Sequence, residues 1–329
     1  MLVPSVIKDD EIKLLNQTLP YLITKGRAES TTAKYLAGWK AWVKWTENKD
    51  EVTSRPALPF YVAIYFNHLL FTNGTKGSIT AAFYGLRWAH HTVGLESPTD
   101  NPLVQLAYEG CMRTCKGSKQ KKDALPLETL KSLVDLFTEK KFNLSNQRFL
   151  LVCLLGFTGF FRISELLTVQ LRHLSIQEHH MTIYLEQSKG DQHREGNKVY
   201  ISRTGSKYCP LVFTENFLKD AKLSCTDDQD AFLIPTLHKT KKGHIASKTR
   251  GISETRIREI FMENVKTIDD NGNYGLHSLR SGGASAAAQR GVSDRLISKQ
   301  GRWASENARN GYIHDSEETR LSVTKSLGL

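Results

Sequence analysis

The sequence predicts a mainly α-helical protein with a small antiparallel β-sheet, arranged as two domains. Three observations predict it. Over most of the chain, apolar residues recur at the three-to-four spacing of a helix buried along one side. Between Leu174 and Gly205 the period changes to two, the mark of half-buried strands. Finally, KGSKQKKD at 116–123 holds four lysines and no apolar side chain, so it cannot be packed and is the best domain boundary in the chain. The expected domains are 1–117 and 125–329, joined by a basic linker at 118–124. A length of 329 residues suits two ordinary domains, and 40% hydrophobic with 24% charged residues is globular composition.

In the first domain, STTAKYLAGWKAWVKW places Tyr35, Trp39 and Trp42 at i, i+4 and i+7, with Ser or Thr available as an N-cap. This is an amphipathic helix, and its aromatic stripe reads as bundle core, because base-stacking residues need not keep helical spacing. Lys34, Lys40 and Lys44 occupy its other faces, either simply solvated or in contact with phosphate. Helical patterns follow at 59–72, ended by Asn73-Gly74, and at 78–93. A third, at 102–115, runs into the linker, where Lys116, Lys119, Lys121 and Lys122 continue the basic character.

Leu125-Pro126-Leu127-Glu128 opens the second domain with a proline near the first turn of a helix. An apolar helix, FLLVCLLGF, runs to Thr158-Gly159, and FFRISELLTVQLRHL is expected to continue as helix. On that helix Arg162 and Glu165, three apart, would share a face. Met181, Ile183 and Leu185, then Val199 and Ile201, alternate with polar residues, which gives three antiparallel strands. Lys189 and Gly190 fall in the turn between the second and third. Another helix runs from Pro210 to about Leu223. Beyond it LHKTKKGHIASKTRG, with Lys241 and Lys242, is expected as a basic, flexible loop, near phosphate or at ordinary surface. A helix at 253–268 leads to the Gly- and Ala-rich segment Leu279–Gln289, a close-packed helix that would fix His277 and Arg280 at its start. A further helix begins at Ser293-Asp294 and is ended by Gly301. The last residues, HDSEETRLSVTKSLGL, form a short amphipathic helix through Leu321, Val323, Thr324 and Leu327.

Charge and composition narrow the function. Lysine and arginine (45) outnumber aspartate and glutamate (34) by 11, which favours a polyanionic partner, nucleic acid before an anionic membrane. No apolar run approaches the roughly 20 residues that span a bilayer. The start, MLVPSVIKDDEIKLL, turns charged too early for a secretory signal, so an intracellular protein is expected. The five cysteines are scattered without a C-x-x-C pair, as expected of reduced thiols. His179 and His180 lack partners at ligand spacing and read as a surface turn. Neither a metal nor a nucleotide cofactor is implied, since no P-loop pattern is present.

The chemistry concentrates between Tyr274 and Tyr312. There stand His277 and Arg280, the step Gly301-Arg302-Trp303, and a tyrosine nine residues after the tryptophan. Arginine offers a fixed fork of donors to phosphate oxygens, histidine moves protons near neutral pH, and a deprotonated tyrosine is a nucleophile. Each motif alone is common. In series, TGFFRISELL around Arg162, QSKGD around Lys189, HSLR for His277 and Arg280, GRW for Trp303 and NGYIHD for Tyr312 resemble the tyrosine recombinases, which share their chemistry with type IB topoisomerases. The resemblance covers residues 125 to the end and is compatible with the helical first half. More narrowly, SKGDQHREGNKVYISRTGSKYCP, GLHSLRSGGASAAA and GRWASENARNGYIHDS look like the recombinases of eukaryotic DIRS-type retrotransposons, including the Ngaro group, and less closely the Cryptons. Trp303 takes a place where many members carry histidine; its indole N–H can donate to a phosphate oxygen but cannot exchange a proton.

The resemblance implies a helical, SAM-like core-binding domain and a catalytic domain forming a C-shaped clamp on double-stranded DNA. Tyr312 would attack a phosphodiester to give a 3′-phosphotyrosyl link, while Arg162 and Arg280 hold the non-bridging oxygens. Lys189 would protonate the leaving 5′-oxygen, and His277 would assist proton transfer with Tyr312. Glu165 would orient Arg162 or His277. The bond energy stays in the phosphotyrosine, so neither ATP nor a metal is needed. Four protomers on two DNA sites, a tail docked on a neighbour and a nuclear mobile-element role are implied in the same way. A DNA-binding protein without catalysis and a topoisomerase-like relaxing enzyme are the alternatives.

Overall fold

The computed structural model describes residues 8–115, 120–139, 143–186, 196–241 and 243–328. Lys116, Lys119, Lys189 and Lys242 lie outside the described residues. The chain divides into two compact units between Gln120 and Lys121, and each is mainly helical or helical with short antiparallel strands.

The first unit contains α1 (Asp10–Lys25), α2 (Glu29–Thr46), α3 (Pro59–Phe71), α4 (Lys76–His91) and α5 (Pro102–Thr114), with a 3-10 turn at Pro98–Asp100. Local chemistry sets the starts. Asp9 accepts from the Ile12 N–H, Thr75 from Ser78 and Asn101 from Leu103, while proline occupies the first turn of α3 and α5. The stripe on α2 is core: Trp42 is fully buried among Val62, Tyr65, Phe66, Ile79 and Leu86. Helices α2 and α4 touch backbone to backbone. A Cβ on Gly38 would lie 2.0 Å from the Ala81 carbonyl oxygen, and one on Gly85 would lie 2.5 Å from that of Tyr35. Buried His90 accepts the Ala57 N–H on Nε2 (3.0 Å), so its Nδ1 carries the proton that bonds the Leu86 carbonyl (2.8 Å). Helix α1 has no counterpart among the helices expected from the sequence, and its Ile12, Leu15 and Leu22 remain more than half exposed.

The second unit begins with α6 (Leu127–Glu139) and α7 (Leu144–Thr158). Every residue of α7 from Gln147 to Phe157 is buried, which makes it the central post of the unit. After it come α8 (Ile163–Leu166), a 3-10 turn at Leu171–His173, and the strands β1 (Leu174–Ile176), β2 (His180–Leu185) and β3 (Asn197–Ser202). These strands form one antiparallel sheet in the order β1-β2-β3, with Met181 opposite Ile201 and Ile183 opposite Val199. All four side chains are buried, so the alternation seen in the sequence is the core-facing side of the sheet. His180 opens β2, which corrects its assignment to a turn with His179.

Then follow α9 (Pro210–Ala221), β4 (Pro235–Thr240), β5 (Gly243–Gly251), α10 (Glu254–Val265), α11 (His277–Gln289), α12 (Asp294–Gly301), α13 (Glu306–Asn310) and α14 (Glu317–Lys325). The stretch expected as a flexible loop is thus the antiparallel hairpin β4-β5, with a register shift between Pro235 and Leu237. Few of its side chains reach the core, Ala246 among them, so its alternation is faint in the sequence. A second correction concerns Arg162. It stands one residue before the four-residue α8 in extended conformation (φ −69°, ψ 140°), and its backbone N–H donates to Glu165 Oε2. No residue of α14 is buried, and Leu321 and Val323 are exposed. All five cysteines are free thiols. Among the described residues no helix is long and apolar enough to cross a membrane.

Candidate active site

Two close approaches bring the site together. Helix α11 lies against the end of α7 through Gly282 and Gly283, where a Cβ would come within 2.2 Å of the Leu125 carbonyl oxygen and 1.9 Å of the Phe157 carbonyl oxygen. Glycine removes that collision and lets Arg280, one turn earlier on α11, reach the turn that follows α7. In that turn Phe160 has positive φ (46°), and its carbonyl oxygen accepts from Arg280 Nη1 (2.5 Å) and Arg302 Nη2 (2.9 Å). The second approach is at the end of α12. Gly301 has no side chain, and a Cβ there would sit 2.1 Å from the Trp303 ring. Its carbonyl oxygen accepts from Arg280 Nη2 at 2.5 Å.

Three guanidinium groups converge on one carboxylate. Glu165 is only 5% exposed; its Oε1 accepts from Arg162 Nη1, and its Oε2 accepts from Arg302 Nη2 at 2.8 Å, with Arg280 Nη1 at 4.0 Å. Burial opposes ionisation of Glu165, but the Arg302 charge and the Arg162 contacts outweigh it and hold the carboxyl below the usual range. Burial, followed by repulsion from Arg162 and Arg302, pulls the Arg280 guanidinium below its ordinary value. Three positive charges against one negative leave a local excess of two, held in a largely dry setting. Such a site favours an anion with several acceptor oxygens.

Aromatic rings form its other wall. The Arg280 guanidinium carbon lies 4.5 Å from the Trp303 ring centroid and 4.9 Å from that of Tyr312, whose rings are 5.2 Å apart. Phe160, Ala284 and Ile297 complete a small apolar cluster beneath them. The Trp303 indole N–H is a buried donor with no partner among the described residues. Tyr312 is half-buried and tethered on both sides. Its backbone N–H donates to the Arg309 carbonyl (2.9 Å), and two residues on the His314 N–H donates to Ser285 Oγ (2.8 Å). Arg309, itself buried, pairs with Asp294 at 2.9 Å and so ties α13 to α12.

The structure therefore brings Arg162, Glu165, Arg280, Trp303 and Tyr312 into one cluster. His277 is exposed at the first turn of α11, three residues before Arg280, and its carbonyl accepts from Ser281 Oγ. Of the basic residues singled out in the sequence, Lys34, Lys40 and Lys44 are exposed on α2, Lys241 is exposed between β4 and β5, and Lys121 and Lys122 are exposed before α6. Lys122 Nζ donates to Asn273 Oδ1, which fastens the chain before α6 to the turn before α11. Sequence reasoning named Arg302 only within the Gly301-Arg302-Trp303 step and gave it no role, and it missed Arg309. Both are arginines on short elements near known motifs, where spacing gives no sign that the side chain turns inward.

Residues 123–319 match the family described as "Phage integrase family". The chain is 27% identical over 305 residues to an "Integrase/recombinase xerD homolog" of Selenomonas ruminantium, covering 88% of this chain and 83% of that protein. Among solved structures it is similar to XerH site-specific recombinase bound to palindromic difH substrate in a post-cleavage complex, with a TM-score of 0.59 at 15% identity, over 99% of this chain and 91% of that one. It is likewise similar to a lambda integrase tetramer bound to a Holliday junction, with a TM-score of 0.58 at 14% identity, over 92% of this chain and 76% of that one. At such identities these likenesses show the fold.

Proposed function

The chain belongs to the phage integrase family of tyrosine recombinases, and from that premise we propose that it cleaves and rejoins strands of double-stranded DNA through a 3′-phosphotyrosyl intermediate. The observation that carries this reading is the buried arginine cluster, with its excess positive charge, stacked against the Tyr312 ring.

The Tyr312 oxygen forms a bond to the scissile phosphorus as the phosphorus–O5′ bond breaks. The phenolic proton leaves with the help of His277, and the departing 5′-oxygen gains a proton from Lys189. An ordinary tyrosine, with a pKa of about 10, is mostly protonated at neutral pH, so this transfer is needed. Arg162 and Arg280 neutralise the charge that grows on the non-bridging oxygens, and Trp303 adds a neutral donor through its indole N–H. For Arg280 to take that role, its bonds to the Phe160 and Gly301 carbonyls have to be shared with or exchanged for phosphate oxygens. Glu165 orients Arg162. Rejoining is the same reaction in reverse, with a 5′-hydroxyl as the attacking group.

The net charge of +11 and the exposed lysines of α2, of the segment before α6 and of the β4-β5 hairpin support duplex DNA as the partner. The uncovered apolar residues of α14 support docking of the tail on a second protomer and assembly as a tetramer on two DNA sites. The resemblance of the stretches around Lys189, His277 and Tyr312 to DIRS-type and Crypton recombinases supports a role in mobilising a eukaryotic element, in the nucleus. The test is a nicked duplex, its sequence selected from a random pool by covalent capture on the protein. Wild type forms a denaturation-resistant adduct and Tyr312→Phe forms none; an adduct with the phenylalanine variant refutes the assignment. A relaxation assay beside a two-site exchange assay then separates recombination from simple relaxation.

A further inference from the structure

We infer that Arg302 is a positioning residue that sets the charge of the phosphate clamp: by sharing Glu165 with Arg162 it keeps the cluster at a net of +2 toward the scissile phosphate and spares Arg280 from pairing with that carboxylate. The inference rests on the strand-transfer reading above. It begins from the backbone. Arg302 caps α12 in the left-handed region (φ 56°, ψ 43°), where glycine is the usual residue because an L side chain is disfavoured there. An arginine at that position carries a backbone cost that its side-chain contacts have to offset.

That side chain is 2% exposed and fully engaged through its two terminal nitrogens. Nη1 donates to the Gly159 (3.1 Å) and Gln300 (2.6 Å) carbonyls, and Nη2 donates to the Phe160 carbonyl (2.9 Å) and to Glu165 Oε2 (2.8 Å). Its flat face lies over the Phe161 ring at 5.1 Å. All four terminal hydrogens are committed to protein oxygens, and the remaining donor, the Nε–H, is buried without a partner among the described residues, so the enclosed Arg302 is not a phosphate ligand. Its effect passes through Glu165.

Charge counting gives the consequence. Arg162, Arg280 and Arg302 contribute three positive charges and Glu165 one negative, a net of +2. Without Arg302 the same carboxylate would quench one of the two clamp arginines. Oε2 would lose its 2.8 Å partner and draw on Arg280 Nη1, now 4.0 Å away, and the clamp would fall to +1. A phosphodiester carries one negative charge in the ground state and gathers more on its non-bridging oxygens in the transition state. The missing charge is therefore felt in the chemical step, and little in DNA binding.

The experiment measures the rate of adduct formation on the captured nicked duplex for wild type, Arg302→Met, Arg302→Lys, and Arg302→Met combined with Glu165→Gln. Arg302→Met should slow the step by about 100-fold, the scale of one lost transition-state donor, with DNA affinity within about threefold of wild type. The double variant removes the stranded negative charge and restores a net of +2. It should recover at least about tenfold of the loss. On a duplex whose scissile phosphate is replaced by methylphosphonate, which carries one charge fewer, the gap between wild type and Arg302→Met should shrink to within about tenfold. Arg302→Lys, which keeps the charge without the fork, should fall between wild type and Arg302→Met. If Arg302 only supports the fold, the double variant is no better than the single and the loss is equal on both substrates; either result overturns the inference. A wild type that captures no duplex overturns the strand-transfer reading itself, a distinct outcome.

Discussion

Replacing Gly283 by alanine adds one methyl group at the tightest contact beneath the site. The new Cβ would lie 1.9 Å from the Phe157 carbonyl oxygen and 2.8 Å from the Phe160 ring. Neither neighbour can move freely: Phe157 is in the buried post α7, and Phe160 belongs to the turn that receives Arg280 and Arg302. Helix α11 has to shift outward by roughly an ångström, since real Cβ atoms essentially never approach closer than 3.0 Å. Overpacking of this kind costs ~1–3 kcal/mol. In a unit of about 200 residues, ~2 kcal/mol lowers the melting temperature by ~4–8 °C. Arg280 rides on the same helix, and a misplacement of about 1 Å can reduce a rate about 100-fold. Gly110→Ala is the matched control. Beyond its chain neighbours and its own helix backbone nothing lies within 4 Å of its Cβ, and alanine in a helix is favoured over glycine by ~1 kcal/mol, so stability of the first unit should rise and activity stay constant. Thermal unfolding and adduct formation on the nicked duplex report both quantities. Wild-type stability and rate for Gly283→Ala would refute the claim that this close approach positions Arg280.

Other expectations follow from the same geometry. Arg280→Ala removes a guanidinium that bonds two carbonyls and stacks on two rings, and adduct formation should fall by about 100- to 1000-fold. Trp303→Phe keeps most of the ring packing and deletes the unpartnered indole N–H; a loss of about 10-fold or more is expected, consistent with a hydrogen bond to a charged group at ~1.5–3 kcal/mol, and an unchanged rate would remove that donor from the mechanism. In the first unit, burial lowers the His90 pKa below its ordinary 6.5, the Leu86 hydrogen bond opposing it only in part. The neutral ring is thus favoured in the folded state, its stabilisation is complete above pH of about 6.5, and it is lost as pH falls toward the lowered folded value. Urea unfolding at pH 7.5 and 5.5 should show the loss in wild type and a smaller one in His90→Asn. Affinity for duplex DNA should fall steeply between 50 and 200 mM salt, and Lys34, Lys40 and Lys44 changed together to alanine should flatten that slope by about 3 if all three meet phosphate.

What the sequence made legible follows burial. The stripe Tyr35, Trp39 and Trp42 and the alternation Met181, Ile183 and Leu185 were readable because one side of each element faces the core. The hairpin β4-β5 was not, since few of its side chains are buried and the rest read as loop. Helix α1 escaped notice with Pro20 inside it and most of its apolar residues exposed. Arg162 and Glu165 were paired correctly but on the wrong backbone, because a spacing of three serves a helix face and a capping arrangement equally. Arg280, Trp303 and Tyr312 could be found as residue types in series. The role of Arg302 could not, because it depends on a left-handed φ and a carboxylate 137 positions away.

Whether Tyr312 becomes joined to DNA is decided by trapping wild type on the captured nicked duplex, digesting the adduct and sequencing the modified peptide by mass spectrometry. A single modified peptide is expected, carrying a nucleotide 3′-phosphate on Tyr312, with a 5′-hydroxyl on the released strand. A phosphate on any other residue, or a 5′-phosphotyrosyl linkage, would contradict that expectation.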